Sequence, residues 1–265
     1  MQNKQITNYL KANLHAHTFR CQHAYGTERE YVETAIEMGI KEFGFSDHIF
    51  CPFKHGEVST MRMKLSEVEG YVDTLNNLKR EYKNDIDILI GFEAEYIRDF
   101  YEEQMKICRD YDIDYLILGQ HFIGDEFHGP YSGAQTTDES ILEGYVELAI
   151  EGAKTNSYTY MAHPDLIFYT GNKEIYYKHM KHLCEELKKL DMPLEFNMLG
   201  RATNRNYPNE FFWQIAGEVG NKAIIGIDAH DTTIIQNVEA YNQCMEIARK
   251  NNIEVLPKID VKKTP

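Results

Sequence analysis

"KAIIGIDAH", residues 222–230, is a short apolar run that ends in an aspartate and a histidine two positions apart. In a strand, residues i and i+2 share a face, so Asp228 and His230 can meet one site from the end of this segment. The same design recurs in "ANLHAHT" from Ala12, "EFGFSDH" from Glu42, "DILIGFEAEY" from Asp87, "YLILGQHF" from Tyr115 and "YTYMAHPD" from Tyr158. "PLEFNM" from Pro193 is a seventh apolar run, and "IEVL" from Ile253 is a candidate eighth. Segments of helical period separate them, which is the βα rhythm of a parallel sheet with helices outside it.

Two helix starts carry capping-box signals, "TERE" at Thr27 and "SEVE" at Ser66. The first leads into an apolar stripe of Val32, Ala35 and Ile36, stopped by Gly39; the second leads into Val68, Tyr71, Val72, Leu75, Leu78 and Tyr82. Later helices are expected over 139–154, 173–190, 210–219 and 234–250. No Pro-rich or Gly/Ser-rich linker interrupts the series, so residues 1–265 read as one domain.

Whether such a sheet is open or closed is decided by where its polar residues fall. An open sheet gathers ligands at one crevice, whereas a barrel brings the carboxyl ends of many strands to one mouth. Here the ends read His15 and His17, Asp47 and His48, Glu93 and Glu95, His121, His163, then Asp228 and His230. That distribution favours a barrel. Any single imidazole would be ordinary packing, but so many crowded at a buried mouth would cost roughly one to several kcal/mol per unpaired group. Bound cations are the natural compensation, so the pattern predicts a multinuclear metal site. His179 and His182, in "YKHMKHLCEELKKL", read as a solvated helix face, while His55 and His128 sit in loops bordering the mouth.

Composition narrows the partners. A formal charge of −14 without a basic run argues against a nucleic-acid partner. The five cysteines are odd in number and form no CxxC pair, which suits reduced thiols. No apolar signal core or stretch of about eighteen apolar residues is present, so the expectation is a cytoplasmic protein without a membrane partner.

Together, "LHAHT", the loop histidine His23, "FSDH", "GFEAEYI", "GQHFI", "AHPDLI" and "GIDAH" resemble the polymerase and histidinol phosphatase (PHP) superfamily, and within it the monofunctional histidinol phosphatases. The resemblance implies a distorted (β/α)7 barrel with its active site at the C-terminal ends of the strands. It implies three divalent ions: one on His15, His17, Glu93 and Asp228, a second on Glu93, His121 and His163, and a third on His23, His48 and His230. Glu93, rather than Glu95, would bridge two ions. The set holds no thiolate, which fits Zn, Mn or Fe and leaves Cys21 without a role. Where the family usually reads "SVHFI", this chain has Gly119 and Gln120 before the histidine.

The activity implied is hydrolysis of L-histidinol phosphate to L-histidinol and phosphate, in histidine biosynthesis, by a metal-bound hydroxide. Ions in the mouth would attract a small phosphate monoester despite the acidic chain. Asp228 or His230 would orient the hydroxide or pass a proton to the leaving group. Arg20, Arg201 and Arg205 are candidate phosphate contacts, because a guanidinium matches phosphate with a planar fork of donors. Glu95 or Asp165 could meet a substrate ammonium. Three other readings stay open: a PHP enzyme acting on a nucleotide, nucleic-acid end or phosphoprotein; an amidohydrolase-type barrel, which would lack the third-metal set; and a metal-binding protein without turnover.

Overall fold

The computed structural model describes residues 9–54 and 56–263; His55 lies outside the described residues. Four strands pair in parallel in chain order: β1 (Ala12–Asn13), β2 (Glu42–His48), β3 (Asp87–Ala94) and β4 (Tyr115–Leu118). A second parallel pair joins β5 (Leu194–Asn197) to β6 (Ala223–Gly226). Met161 bridges Leu118 on one side and Leu194 on the other, linking the two sheets, and Ala16 bridges Ala229, bringing β6 back to the chain after β1. The parallel sheet therefore curls through seven positions. It is distorted because the "YTYMAHPD" position contributes one bridge rather than a ladder. Among the described residues, Val255 pairs only with Ala223 at the foot of β6. It adds no eighth stave, since the top of β6 turns instead to the first segment, where Ile227 N donates to Asn13 Oδ1 (2.9 Å) and Asp228 N to His15 O (2.9 Å).

Side chains inside the curl form their own apolar cluster of Leu14, Tyr115, Ile117, Tyr160, Ala162 and Ile224, closed below by Leu256, Ile259 and Val261. Tyr115 fits there because Gly44 and Gly91 carry no Cβ; one built on Gly44 would lie 2.2 Å from its hydroxyl and one on Gly91 2.5 Å from its ring. Its hydroxyl donates to Leu14 O (2.8 Å). This filled lower half leaves room for chemistry only at the upper, C-terminal end.

The outer layer comprises α1 (Glu28–Glu37), α2 (Val68–Glu81), α3 (Tyr101–Asp110), α4 (Glu139–Lys154), α5 (Lys173–Lys189), α6 (Met198–Ala202), α7 (Glu210–Val219), α8 (Thr232–Ile235) and α9 (Val238–Lys250). Thr27 and Glu30 form the expected capping box on α1. Ser66 does not cap α2: it sits inside a 3-10 turn, Leu65–Glu67, and Glu67 alone reaches back to Lys64 N (3.0 Å). The single helix expected over 234–250 is two, since Asn237 turns the chain and accepts from Ala240 N (2.9 Å) to start α9. His179 is a further correction. It is buried, with Nε2 2.9 Å from Glu139 Oε1, because α5 packs on α4; only His182 is exposed. Among the described residues no helix is long and apolar enough to cross a membrane.

Candidate metal centre

The strand ends converge on Glu93, which the ladder carries to the top of β3 beside His48. Its Oε1 lies 2.7 Å from His163 Nε2 and 3.4 Å from His121 Nε2. Its Oε2 lies 3.1 Å from His48 Nδ1, 3.4 Å from His15 Nε2 and 3.5 Å from His17 Nε2. Asp228 Oδ1 closes the group, 3.0 Å from His17 Nε2 and 3.4 Å from His15 Nε2. His15 Nε2, His17 Nε2, His48 Nδ1, Glu93 Oε2 and Asp228 Oδ1 are buried and have no hydrogen-bond partner among the described residues. Each such orphan costs about 1–3 kcal/mol, yet here they face one another. A donor set of imidazole nitrogens and carboxylate oxygens left open in this way fits divalent cations.

Groupings whose donor atoms lie within 4.8 Å of one another include His15, His17 and Asp228; His15, Glu93 and His163; His17, His48 and His230; Cys21, His23 and His230; and His17, Cys21 and Asp47. Two details differ from the expected sets. His17 stands with His48 and His230, its ring 4.1 Å from that of His230. Cys21, which the resemblance left without a role, has its thiol among the donors beside His23. His23 still stacks on both partners expected for it, with ring centroids 4.7 Å from His230 and 5.3 Å from His48.

The electrostatics follow from burial and neighbours. Burial alone would raise the Glu93 carboxyl, but the imidazoles of His121, His15, His48 and His163 overcome it and hold it well below the usual carboxylate range. Asp228 is held down in the same way, against burial, by His15, His17 and His230. Burial and the charge of His17 push His230 down to about 3 and carry His48 well below its ordinary value. Two of these residues hold left-handed backbone, Asp228 at φ 55° and His163 at φ 26°. For residues with a Cβ such conformations cost of order 1–3 kcal/mol each, and they persist where the surrounding structure over-determines them.

Sequence reading missed Glu195 and Asn197, on β5. Glu195 Oε1 lies 2.7 Å from His15 Nδ1, its Oε2 accepts from His163 N (3.0 Å), and Asn197 Nδ2 donates to Glu195 Oε2 and to Asp228 Oδ2 (both 3.0 Å). The available signal was a Glu and an Asn two apart in the otherwise apolar "PLEFNM". Gly119 also gains a reason: a Cβ there would lie 2.1 Å from Glu93 Oε1, so this position must be bare. Gln120 faces away, accepting from Tyr96 N (3.2 Å) and donating to Phe122 O (2.8 Å).

Above the donors opens a cavity of about 360 Å³ walled by Met61, Phe122, Tyr131, Arg205 and Tyr207. Arg205 donates to Tyr207 Oη (2.7 Å) and is the one of the three candidate arginines that lines it. Arg20 is turned away and buried, paired with Glu28 and donating to Gly70 O (3.4 Å). Arg201 donates to Gln243 Oε1 (2.7 Å) on α9. Neither expected ammonium carboxylate is free: Glu95 lies 2.5 Å from Arg62 Nη2, and Asp165 accepts from Asn209 N (2.5 Å). His128, exposed and paired with Asp125, lines a different groove beside α4.

Fold and site together define a class: curled α/β barrels whose strand ends gather imidazoles and carboxylates suited to metal binding at one mouth. The chain belongs to the PHP domain family, whose model matches residues 13–198. It is 26% identical over 222 residues to the probable histidinol-phosphatase of Deinococcus radiodurans, covering 82% of this chain and 85% of that protein. To the histidinol-phosphatase of Bacillus subtilis it is 29% identical over 119 residues, 43% of this chain and 44% of that one. Among solved structures, its fold is similar to the histidinol phosphate phosphatase of Lactococcus lactis complexed with Zn, L-histidinol and phosphate, with a TM-score of 0.71, 19% identity, and coverage of 93% of this chain and 95% of that chain.

Proposed function

We propose that this chain is a metal-dependent phosphoric monoester hydrolase that converts L-histidinol phosphate and water to L-histidinol and phosphate. The observation that carries the metal-dependent reading is the cluster of buried, unpartnered imidazole and carboxylate atoms around Glu93. The substrate is supported by the histidinol-phosphatase names of the relatives and by the ligands of the Lactococcus lactis structure. His15, His17, Glu93 and Asp228 would hold one ion, Glu93, His121 and His163 a second, and His23, His48 and His230 a third, within one domain spanning the chain. Such ions supply Lewis acidity and can lower the pKa of water from 15.7 to about 7.

The protein's own groups account for the rest. Glu195 fixes the ring of His15 through Nδ1 and leaves Nε2 facing the centre. Asn197 occupies Asp228 Oδ2, so Oδ1 is the oxygen presented. Arg205 offers its fork of donors to the phosphate oxygens at the cavity wall. Phe122, Tyr131 and Met61 enclose the organic part of the ester and exclude water. Hydrolysis forms a bond from the water oxygen to phosphorus and breaks the bond to the substrate alkoxide. Asp228 or His230, both lining the cavity, would take the proton from water and return it to that alkoxide.

The test is phosphate release from L-histidinol phosphate beside p-nitrophenyl phosphate and nucleoside monophosphates, after chelation and with Zn, Mn or Fe restored. Turnover of histidinol phosphate no better than of p-nitrophenyl phosphate would remove the substrate assignment. Full activity in the chelated protein would remove the metal centre.

A further inference from the structure

Beneath the cavity wall lies a buried ionic cluster that the proposed chemistry does not use. Arg62, in the connection between β2 and α2, is 1% exposed. Its Nη2 lies 2.5 Å from Glu95 Oε1 and its Nε 2.6 Å from Glu126 Oε2. Glu95 Oε1 is in turn 3.1 Å from His121 Nδ1, and His121 Nε2 faces Glu93. Gln22, in the first loop, donates from Nε2 to Arg62 O (3.0 Å) and Ser59 O (3.1 Å). One guanidinium thus joins the end of β3 to the loops after β2 and β4, with the first loop attached through its backbone.

Such an arrangement is costly as mere scaffolding, because a buried ion pair is often no more stabilising than apolar residues of the same volume. Its geometry offers a use beyond scaffolding. A carboxylate accepting at Nδ1 fixes the tautomer of a neutral imidazole and turns Nε2 toward the ion. Glu95 is held for that role by one arm of the guanidinium, Nη2, while Nε reaches Glu126, a pair of fixed directions that a point-charge ammonium would not reproduce. The second arm grips Glu126, in the loop that follows Phe122 and precedes Tyr131, two walls of the cavity.

We infer that Arg62 is a positioning residue that sets His121 for the metal centre through Glu95 and, through Glu126, holds the loop carrying the aromatic wall over the cavity. The inference rests on the metal-centre reading proposed above. It is tested with zinc-loaded wild type, Arg62→Met, Arg62→Lys and Glu126→Gln, following zinc transfer to a chromophoric chelator and separating kcat from KM on both L-histidinol phosphate and p-nitrophenyl phosphate. Arg62→Met is expected to surrender zinc about 10–100-fold faster and to lose kcat by a similar factor, with Arg62→Lys between it and wild type. Glu126→Gln is expected to keep its zinc and raise KM. Should Arg62→Met fail to fold, the zinc transfer rate of Arg62→Lys decides. Unaltered transfer and kcat in folded Arg62 variants overturn the inference, as does Glu126→Gln losing zinc as fast as they do. Wild type that retains no zinc overturns the metal-centre reading and this inference with it, whereas retained zinc with unaltered variants overturns this inference alone.

Discussion

Glu93 is the residue on which the candidate centre turns, since both of its oxygens face imidazoles. Glu93→Gln keeps the volume and removes the charge, and is expected to lower kcat by more than about 100-fold, beyond what loss of an outer contact costs; the measurement is phosphate release, and substantial residual turnover would end the bridging role. Gly119→Ala is expected to be nearly as damaging although it touches no substrate, because its methyl would enter the space of Glu93 Oε1. Its melting temperature should fall by an amount worth about 1–3 kcal/mol, and zinc content by elemental analysis should fall with it. The arginines separate by environment. Arg205→Met should raise KM or lower kcat for phosphate esters, while Arg20→Met should lower urea stability by breaking its buried pair with Glu28 and leave KM unchanged. At this scale the sequence revealed side chains that repeat a spacing, such as His15 and His17. It concealed Glu195 and Arg62, whose importance comes from what they touch across 180 and 33 positions of chain.

Elements were legible where local chemistry fixes them. The capping box of α1 is written in Thr27 and Glu30, and Thr27→Ala should cost about 1 kcal/mol of stability in urea with activity unchanged. The bounds of β2, α4 and α7 coincide with their apolar runs and periods. Elements were illegible where tertiary packing overrides propensity. The helix α3, ten residues with three carboxylates, buries only Gln104, Met105 and Cys108 and offers little stripe to read. The "YTYMAHPD" segment has strand composition yet makes a single bridge, since its end turns into the left-handed conformation that aims His163 at Glu93.

For the molecule as a whole, stability and metal loading should be linked. Zinc at a hundred times its dissociation constant would add about 2.7 kcal/mol, so chelation should lower the melting temperature and zinc should restore it; a melting temperature indifferent to chelator would contradict the centre. Loading should also release protons. In the metal-free protein burial lowers His17, but Asp228 and Asp47 outweigh it and raise it to about 9. Below that pH a proton occupies the ring that zinc needs, so affinity weakens as pH falls. Calorimetry at pH 7 in buffers of different ionisation enthalpy should register proton release on zinc binding, and its absence would count against His17 as a ligand.

The alternation of strands and helices and the kinds of atom delivered to the strand ends are legible in the amino acids alone, because both follow from local periodicity and from the two-residue repeat of a strand. Which donors share an ion-sized space, the facing of Arg205 rather than Arg20 or Arg201 toward it, and the places of Arg62 and Glu195 behind the imidazoles emerge from the folded arrangement. Those outcomes depend on the curl of the sheet, which sets distances between residues far apart in the chain. Spacing within a single segment carries no information about that curvature.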